Sequence, residues 1–198
     1  MEFAEVVRRR RMTRSFDGRP VAVPVLERVL DATRRGPSAG FSQGLDLLVL
    51  VGREQTQRYW ETAFPDPAGR DRFRWPGLFA APVLILPLVS SEAYLARYRE
   101  ADKAVTTRTK LADWSVPYWW VDGGMAVMLA LLAAVDEGLG ALFFTVEHTD
   151  SVLEVFGVPP DRTPLGAIAL GHPAPGDAGR SSRRPRRAVD DMVHRGHW

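Results

Sequence analysis

Arginine residues near the two ends of the chain offer the clearest chemistry in this sequence. Arg10, Arg11 and Arg14 form one group, and Arg184 and Arg186 belong to a second group close to the C-terminus. A guanidinium group can bind two oxygens of a phosphate at once, and its charge does not titrate away. The pattern therefore indicates an anion site, although a solvated basic face produces the same pattern.

The overall composition argues against a protein that acts through charge alone. The 198 residues contain 26 Lys and Arg against 24 Asp and Glu, which leaves a formal net charge of +2. GC-rich codon usage also enriches Arg over Lys. Without a Lys-rich tail or a recognition motif, a basic nucleic-acid-binding protein is the remote alternative, and we expect no nucleic-acid partner. The length fits a single domain, residues 1–198.

Several catalytic motifs fail when their surroundings are considered. The absence of cysteine excludes disulfides, thiolate metal sites and a cysteine nucleophile. Residues 36–40 match the G-x-S-x-G string of serine hydrolases, but a predicted helix rather than a strand leads into the serine. His194 and His197 are spaced like metal ligands, but structural histidines of the C-terminal tail are the better interpretation. We therefore predict no metal site.

The N-terminal sequence and the apolar segments favour a cytoplasmic protein without a membrane span. The opening residues contain too short an apolar run for a signal peptide. The longest apolar run, residues 123–135, is shorter than the roughly 20 residues that a spanning helix needs. We interpret it as a long central helix buried on all sides, with a partner subunit supplying part of the cover.

Hydrophobic periodicity predicts helices and strands that mix without a strict βαβ rhythm, which is typical of an α+β fold. Strands are expected at residues 45–51, 82–89, 141–146 and 165–171. Helices are expected at residues 2–11, 24–35, 53–62, 92–104, 117–137 and 150–156.

Two further segments have compositions suited to a ligand site. Residues 37–44, which we call the small-residue loop, connect a predicted helix to a predicted strand. In such a loop, backbone N–H groups can approach a flat ligand while Ser38 and Gln43 supply polar side chains.

Residues 114–120, the aromatic segment, hold three of the six Trp. A wall against a flat substrate and a hydrophobic anchor at a subunit interface are equally good interpretations of this segment.

Four motifs, in this order along the chain, resemble those of the nitroreductase family, the FMN-dependent NAD(P)H oxidoreductases. Residues 10–16 (RRMTRSF) are similar to the family string R-R-S-x-R-x-F, and the small-residue loop is similar to P-S-x-x-N-x-Q-P. Residues 138–159 match a stretch from G-L-G to G-x-P, and residues 184–194 resemble the R-x-R-x-P-L-E-E-V-V-H tail. Each string is loose, but four in the right order over nearly the whole chain are fairly specific.

The resemblance implies a nitroreductase-like mixed β-sheet surrounded by helices, in an intertwined homodimer with two FMN sites at its interface. Residues 174–198 would form a C-terminal extension that packs on the partner subunit. Tightly bound FMN would transfer hydride from NAD(P)H through flavin N5 to a flat small-molecule acceptor, such as a nitroaromatic or a quinone, in a ping-pong reaction. Because the flavin carries this chemistry, no catalytic side chain is expected.

The resemblance also implies roles for individual residues. Arg10, Arg14, Arg184 and Arg186 would hold the FMN phosphate. The other cofactor-binding positions would lie near the flavin, in the loop of the neighbouring subunit or at the backbone N–H that faces flavin N5: Arg11, Met12, Pro37, Ser38, Ala39, Gly40, Phe41, Gln43, Thr145 and Val146. The substrate pocket would include Trp114, Tyr118 and Trp119.

Four positions depart from the family pattern. Met12 stands where Ser is usual, Phe41 where Asn is usual, Gly44 where Pro is usual and Val146 where Gly is common. An alternative is therefore a flavin-binding protein of the same fold with a different role: flavin fragmentation, dehalogenation or flavin storage. Consumption of NAD(P)H with a quinone acceptor separates the two functions.

Overall fold

The fold is organised around a five-stranded sheet. The computed structural model describes residues 1–103, 108, 110–175 and 184–198. The strands run in the order β1-β2-β5-β3, and β4 pairs with β2. Their bounds are β1 (Leu45–Val51), β2 (Val83–Val89), β3 (Gly140–Phe144), β4 (Thr163–Pro164) and β5 (Ala167–Gly171).

The expectation of a mixed sheet is wrong, since each ladder between the described strands is antiparallel. Val51 at the end of β1 pairs with Val83 at the start of β2, and Phe144 at the end of β3 pairs with Ala167 at the start of β5. Each of these connections leaves and re-enters the sheet at the same end, which makes the joined strands antiparallel.

Seven α-helices lie within the described residues, one more than the sequence predicts. The additional helix, α4, falls in a stretch that composition alone leaves as a loop; it begins with proline, and the carboxylate of Asp66 caps it by accepting from Ala68 N at 3.0 Å. The helices are α1 (Phe3–Arg9), α2 (Val23–Thr33), α3 (Gly52–Ala63), α4 (Pro67–Asp71), α5 (Ser91–Tyr98), α6 (Tyr118–Asp136) and α7 (Thr149–Val155).

Strand β2 separates two hydrophobic clusters because successive side chains of a strand point to opposite faces. Val83 and Ile85 pack with residues of α2 and α6, whereas Leu84 and Leu86 pack with residues of α3 and α7. The sheet is therefore a middle layer with helices on both faces. This confirms the α+β class and the sheet surrounded by helices.

Helix α6 packs on the sheet through one face and leaves another face exposed. The expectation of a helix buried on all sides included cover from a partner subunit, so it stays a prediction. The sequence of α6 is apolar all round, but the sheet can cover only one side. Helix α6 also has the length and composition of a membrane-crossing helix, and 39% of its apolar window is buried inside the chain. The exposed face, called the open face of α6 below, consists of Tyr118, Val121, Gly124, Met125 and Met128.

Candidate functional site

The segment that carries the arginine cluster (Arg10, Arg11 and Arg14) lies along the edge of the sheet beside β3. It follows directly after α1, where the backbone becomes extended. The N–H of Thr13 donates to the carbonyl of Ala141 at 2.9 Å, next to an isolated parallel bridge between the two segments. The sheet edge therefore fixes the position from which the three guanidinium groups project.

Two residues explain why this segment can dock so closely on β3. A Cβ atom on Gly140 would lie 2.7 Å from the side chain of Thr13, so the second glycine of the G-L-G motif allows the approach. Met12 packs against both hydrophobic clusters. At this position a thioether fills the core where the family pattern has a hydroxyl.

The arginine cluster has no ion-pair partner among the described residues, unlike the two arginines that precede it. Arg8 and Arg9 both pair with Glu5 on α1. Arg10 is half-buried, and its Nη1 atom is buried without a hydrogen-bond partner in the described part of the chain. A buried donor without a partner costs free energy that an anionic oxygen would recover.

The side chain of Arg14 is oriented by the protein while its charge stays available. Its Nη1 donates to the carbonyl of Met12 at 3.1 Å, and its guanidinium carbon lies 5.1 Å from the ring centroid of Trp75. Neither contact neutralises the positive charge. An arginine held in this way is suited to a phosphate group.

The chain that leads to the C-terminal arginines passes beside the same sheet edge. Pro173 forms an isolated bridge with Phe16, and Ala174 N donates to the carbonyl of Ser15 at 3.0 Å. Residues 176–183 lie outside the described residues. Arg184 and Arg186 are exposed and share no described contact with the arginine cluster, so their convergence on one phosphate stays a prediction. The packing of residues 174–198 on a partner subunit likewise stays a prediction.

The small-residue loop adopts a compact backbone with several positive φ angles. Gly40 has φ 62°, Phe41 57° and Gln43 51°. For a residue with a side chain, this left-handed region costs about 1 kcal/mol or more, so surrounding contacts must hold the loop in shape. Within the loop, Gln43 N donates to Ser38 Oγ at 3.0 Å and Ser42 Oγ donates to Ala39 O at 2.6 Å.

Helices α5 and α6 supply the remaining contacts of the loop. Ala39 N donates to the carboxylate of Asp122 at 2.8 Å, and the Tyr94 hydroxyl donates to the same oxygen at 2.7 Å. Arg97 Nε donates to the carbonyl of Gly40 at 2.8 Å. Burial and the Asp122 carboxylate raise the pKa of the Tyr94 hydroxyl, which keeps it a donor. These three supporting residues were not predicted from the sequence. The available signal was Asp122, an acidic residue inside an apolar helix.

Both glycines of the loop lie against tyrosine rings. A Cβ atom would lie 2.7 Å from Tyr98 at Gly40 and 2.7 Å from Tyr94 at Gly44. The second contact explains why glycine replaces the usual proline at residue 44: a larger residue would collide with the Tyr94 ring. The departure from the family pattern therefore follows from the side chains of α5.

Phe41 is exposed to solvent, whereas part of the aromatic segment is buried in the protein. The Phe41 side chain is exposed at 71%, and Tyr118 also faces outward. Trp114 is buried, with its ring centroid 4.7 Å from that of Tyr98, and Trp119 is half-buried against it. Trp114 thus supports α5, and Tyr118 is the more accessible of the predicted pocket residues. The substrate-pocket assignment itself stays a prediction.

The remaining expected site residues follow β3. Thr145 is exposed, while Val146 is buried in the hydrophobic cluster around α3 and α7. The predicted flavin-facing N–H at these positions is neither supported nor opposed by a described contact. Among the described residues, no group of three His, Asp or Glu is placed to bind a metal ion.

A cavity of about 820 Å³ lies away from these residues. Its walls come from α3, α4 and residues 18–21 and 76–82, and none of the predicted site residues lines it. Size alone would favour this cavity as a ligand site. Arg53 and Arg70 also lie in the walls of this cavity, but the buried unpartnered nitrogen of Arg10 and the left-handed backbone of the small-residue loop lie outside it.

The fold and the site together define an α+β protein with an arginine cluster at a sheet edge and a compact loop of left-handed backbone. Comparisons with known proteins narrow this class. A family model described as the nitroreductase family matches residues 7–172. The chain belongs to the nitroreductase family, which confirms the resemblance seen in the sequence.

Individual relatives agree with this assignment. An FMN reductase [NAD(P)H] of Bacillus subtilis is 26% identical over 93% of this chain and 69% of its own length. Among solved structures, the nitroreductase CinD of Lactococcus lactis, determined with 4-nitrophenol, matches with a TM-score of 0.76 at 20% identity over 98% of both chains. A nitroreductase family protein of Clostridium difficile matches with a TM-score of 0.73 at 21% identity over 100% of both chains. These structural matches establish the fold.

Proposed function

We propose that this protein is an FMN-dependent NAD(P)H oxidoreductase that acts as a homodimer on flat acceptors. The observation that carries the proposal is the arginine cluster: three cations at a sheet edge without an ion-pair partner among the described residues, one of them with a buried unpartnered nitrogen. Family membership and the name of the Bacillus subtilis relative support FMN as the anion.

The donor set fits the FMN phosphate. Arg10 and Arg14 would hold it, with Arg184 and Arg186 arriving from the C-terminal segment that passes beside Ser15. A phosphate carries up to two negative charges, so several guanidinium groups are needed to balance it. When bound, FMN supplies two-electron hydride chemistry between NAD(P)H and an acceptor.

The open face of α6 supports the homodimer. It is a contiguous apolar helix face, and a Cβ on Gly124 at its centre would meet no atom within 4 Å. Such a face is covered in a stable protein, and a second copy supplies a matching apolar surface. A homodimer would bring the small-residue loop of one subunit to the arginine cluster of the other.

A flat acceptor fits the residues around the loop. Phe41 in the loop and Tyr118 at the start of α6 are exposed aromatic side chains, and an aromatic ring stacks on a nitroaromatic or a quinone. The related Lactococcus lactis protein was determined with 4-nitrophenol, which favours a nitroaromatic acceptor. We further propose that the protein acts in the cytoplasm, without a membrane or nucleic-acid partner.

Steady-state oxidation of NADH and NADPH by the FMN-loaded protein tests this function. We expect turnover with a quinone and with a nitroaromatic, and parallel lines in double-reciprocal plots, as a ping-pong reaction requires. Bound FMN without NAD(P)H oxidation would instead favour flavin fragmentation, dehalogenation or flavin storage. A chain that binds no FMN would exclude all of these functions.

A further inference from the structure

We propose that Asp122 is a positioning residue that holds the small-residue loop in the shape that faces the flavin. This inference rests on the proposed function for the identity of the ligand. The shape itself depends on contacts within this chain.

Asp122 joins three elements through one carboxylate oxygen. It lies on α6 and is 7% exposed, and its Oδ2 accepts from the Ala39 backbone N–H at 2.8 Å and from the Tyr94 hydroxyl at 2.7 Å. Hydrogen bonds to a buried charged acceptor are stronger than bonds between neutral groups. The Asp122 carboxylate therefore ties the loop to α6 and to α5 at the same point.

The loop needs such an external support. The residue held by Asp122 directly precedes Gly40 and Phe41, whose φ angles of 62° and 57° lie in the left-handed region. Arg97, on α5, donates to the carbonyl of Gly40. Asp122 therefore binds a backbone donor of the loop, and Arg97 binds a backbone acceptor one residue later. Loss of Asp122 leaves the Ala39 N–H without its acceptor and frees the strained turn to relax.

Tyr94 is the second residue in this arrangement. Its ring packs against Gly44 at the end of the loop. Its hydroxyl donates to Asp122, which binds Ala39 near the beginning of the loop. Asp122 also lies next to Val121 on the open face of α6. The carboxylate therefore links the proposed subunit interface to the loop that the partner's flavin would contact.

Amide hydrogen exchange at Ala39 in the FMN-free protein tests the contact directly. We expect Asp122→Ala to accelerate exchange at Ala39 by about tenfold or more, because the N–H loses its acceptor. Asp122→Asn retains an acceptor without the charge and gives an intermediate rate. Unchanged exchange in both variants would overturn the proposal.

The dissociation constant for FMN tests the consequence for binding. We expect about a tenfold increase for Asp122→Ala, a smaller increase for Asp122→Asn and about a threefold increase for Tyr94→Phe. Tyr59→Phe is the matched control. It also removes a buried phenol hydroxyl, on the other side of the sheet, and that hydroxyl has no hydrogen-bond partner among the residues that the structure describes. The control leaves FMN affinity unchanged.

The outcomes separate this inference from the proposed function. Faster exchange at Ala39 with FMN affinity within twofold of the wild type would show that the loop shape is irrelevant to the flavin. If Asp122→Ala does not fold, Asp122→Asn and Tyr94→Phe test the proposal instead, through exchange at Ala39 and the dissociation constant for FMN. A wild-type protein that binds no FMN would refute the proposed function and the flavin role of Asp122, while exchange at Ala39 would still decide whether the carboxylate holds the loop.

Discussion

The small-residue loop and the arginine cluster are stabilised in opposite ways. The loop is held by the protein itself through Asp122, Arg97 and two tyrosine rings, so its shape exists before a ligand arrives. The arginine cluster has a fixed backbone on β3, but its positive charges lack ion-pair partners among the described residues. One region is preorganised in shape and the other is incomplete in charge.

This difference divides the expected roles of the two regions. A preformed backbone loses little entropy when a flat ring binds to it, so the loop is suited to fix orientation. Cations without partners gain most when an anion arrives, so the arginine cluster is suited to supply affinity. Changes in the arginine cluster should therefore abolish binding, and changes in the loop should alter stability and geometry.

The largest expected effect is that of Arg14→Glu, which replaces a cation oriented toward the phosphate with an anion. We expect FMN affinity to fall by about a hundredfold or more, with the fold retained. Arg8→Glu is the control because it makes the same charge change on the solvent side of α1. Flavin absorbance after gel filtration measures both variants. An Arg14→Glu protein that keeps its FMN would show that the phosphate lies elsewhere.

A charged side chain in the open face of α6 should prevent dimerisation. The small-residue loop would then be separated from the arginine cluster of the other subunit. Met128 is 46% exposed in the single chain, and Met128→Glu would place a charge in an apolar interface at a cost of about 2 kcal/mol or more. We expect a monomer in sedimentation velocity and weaker FMN binding. Val23→Glu alters an apolar residue outside the open face that is even more exposed, at 67%, and should leave a dimer. A dimeric Met128→Glu protein with normal FMN affinity would contradict the interface.

Two glycines with nearly the same φ angle allow the packing of the loop to be measured. Gly40 has φ 62° with a tyrosine ring below it, whereas Gly157 has φ 64° and no neighbour within 4 Å. Gly157→Ala should cost about 1 kcal/mol of unfolding free energy from backbone strain alone. Gly40→Ala should cost about 1–2 kcal/mol more because the new Cβ collides with Tyr98. Equal values in urea unfolding would mean that the loop is not packed on α5.

The smallest expected effect concerns pH. A hydrogen bond from Arg97 holds the pKa of Asp102 below its ordinary value of 3.8. This ion pair therefore contributes stability above about pH 4, and the contribution is lost as the pH falls through the lowered folded-state pKa. Wild-type protein should lose slightly more unfolding free energy between pH 5 and 3 than Asp102→Asn does.

Much of the fold could be predicted from the sequence because apolar periodicity determines it. The four long strands lie within a few residues of their predicted positions, since runs such as residues 82–89 are β-rich and bounded by turn residues. The antiparallel pairing was not predicted, because it depends on where each connection re-enters the sheet. The sequence predicts that a partner covers part of α6 but not which face, because an all-apolar sequence does not reveal which side the sheet covers.

The motifs of the candidate site could be predicted from the sequence, but the residues that hold the small-residue loop in place could not. The arginine cluster and the small-residue loop follow from residue types and spacing. Asp122, Tyr94 and Arg97 come from helices distant in sequence, and their role depends on three-dimensional contacts. Gly44 looked like a departure that weakened the site, and the Tyr94 ring beneath it provides the physical reason for the change.

The visible absorbance spectrum of the purified protein, recorded anaerobically before and after addition of NADH or NADPH, tests the central proposal most directly. We predict a flavin spectrum once FMN is supplied, bleaching when the nicotinamide is added, and recovery when a quinone is admitted. A protein that remains colourless with excess FMN would contradict the account. Retained flavin colour after both nicotinamides would contradict the oxidoreductase function while leaving the flavin site intact.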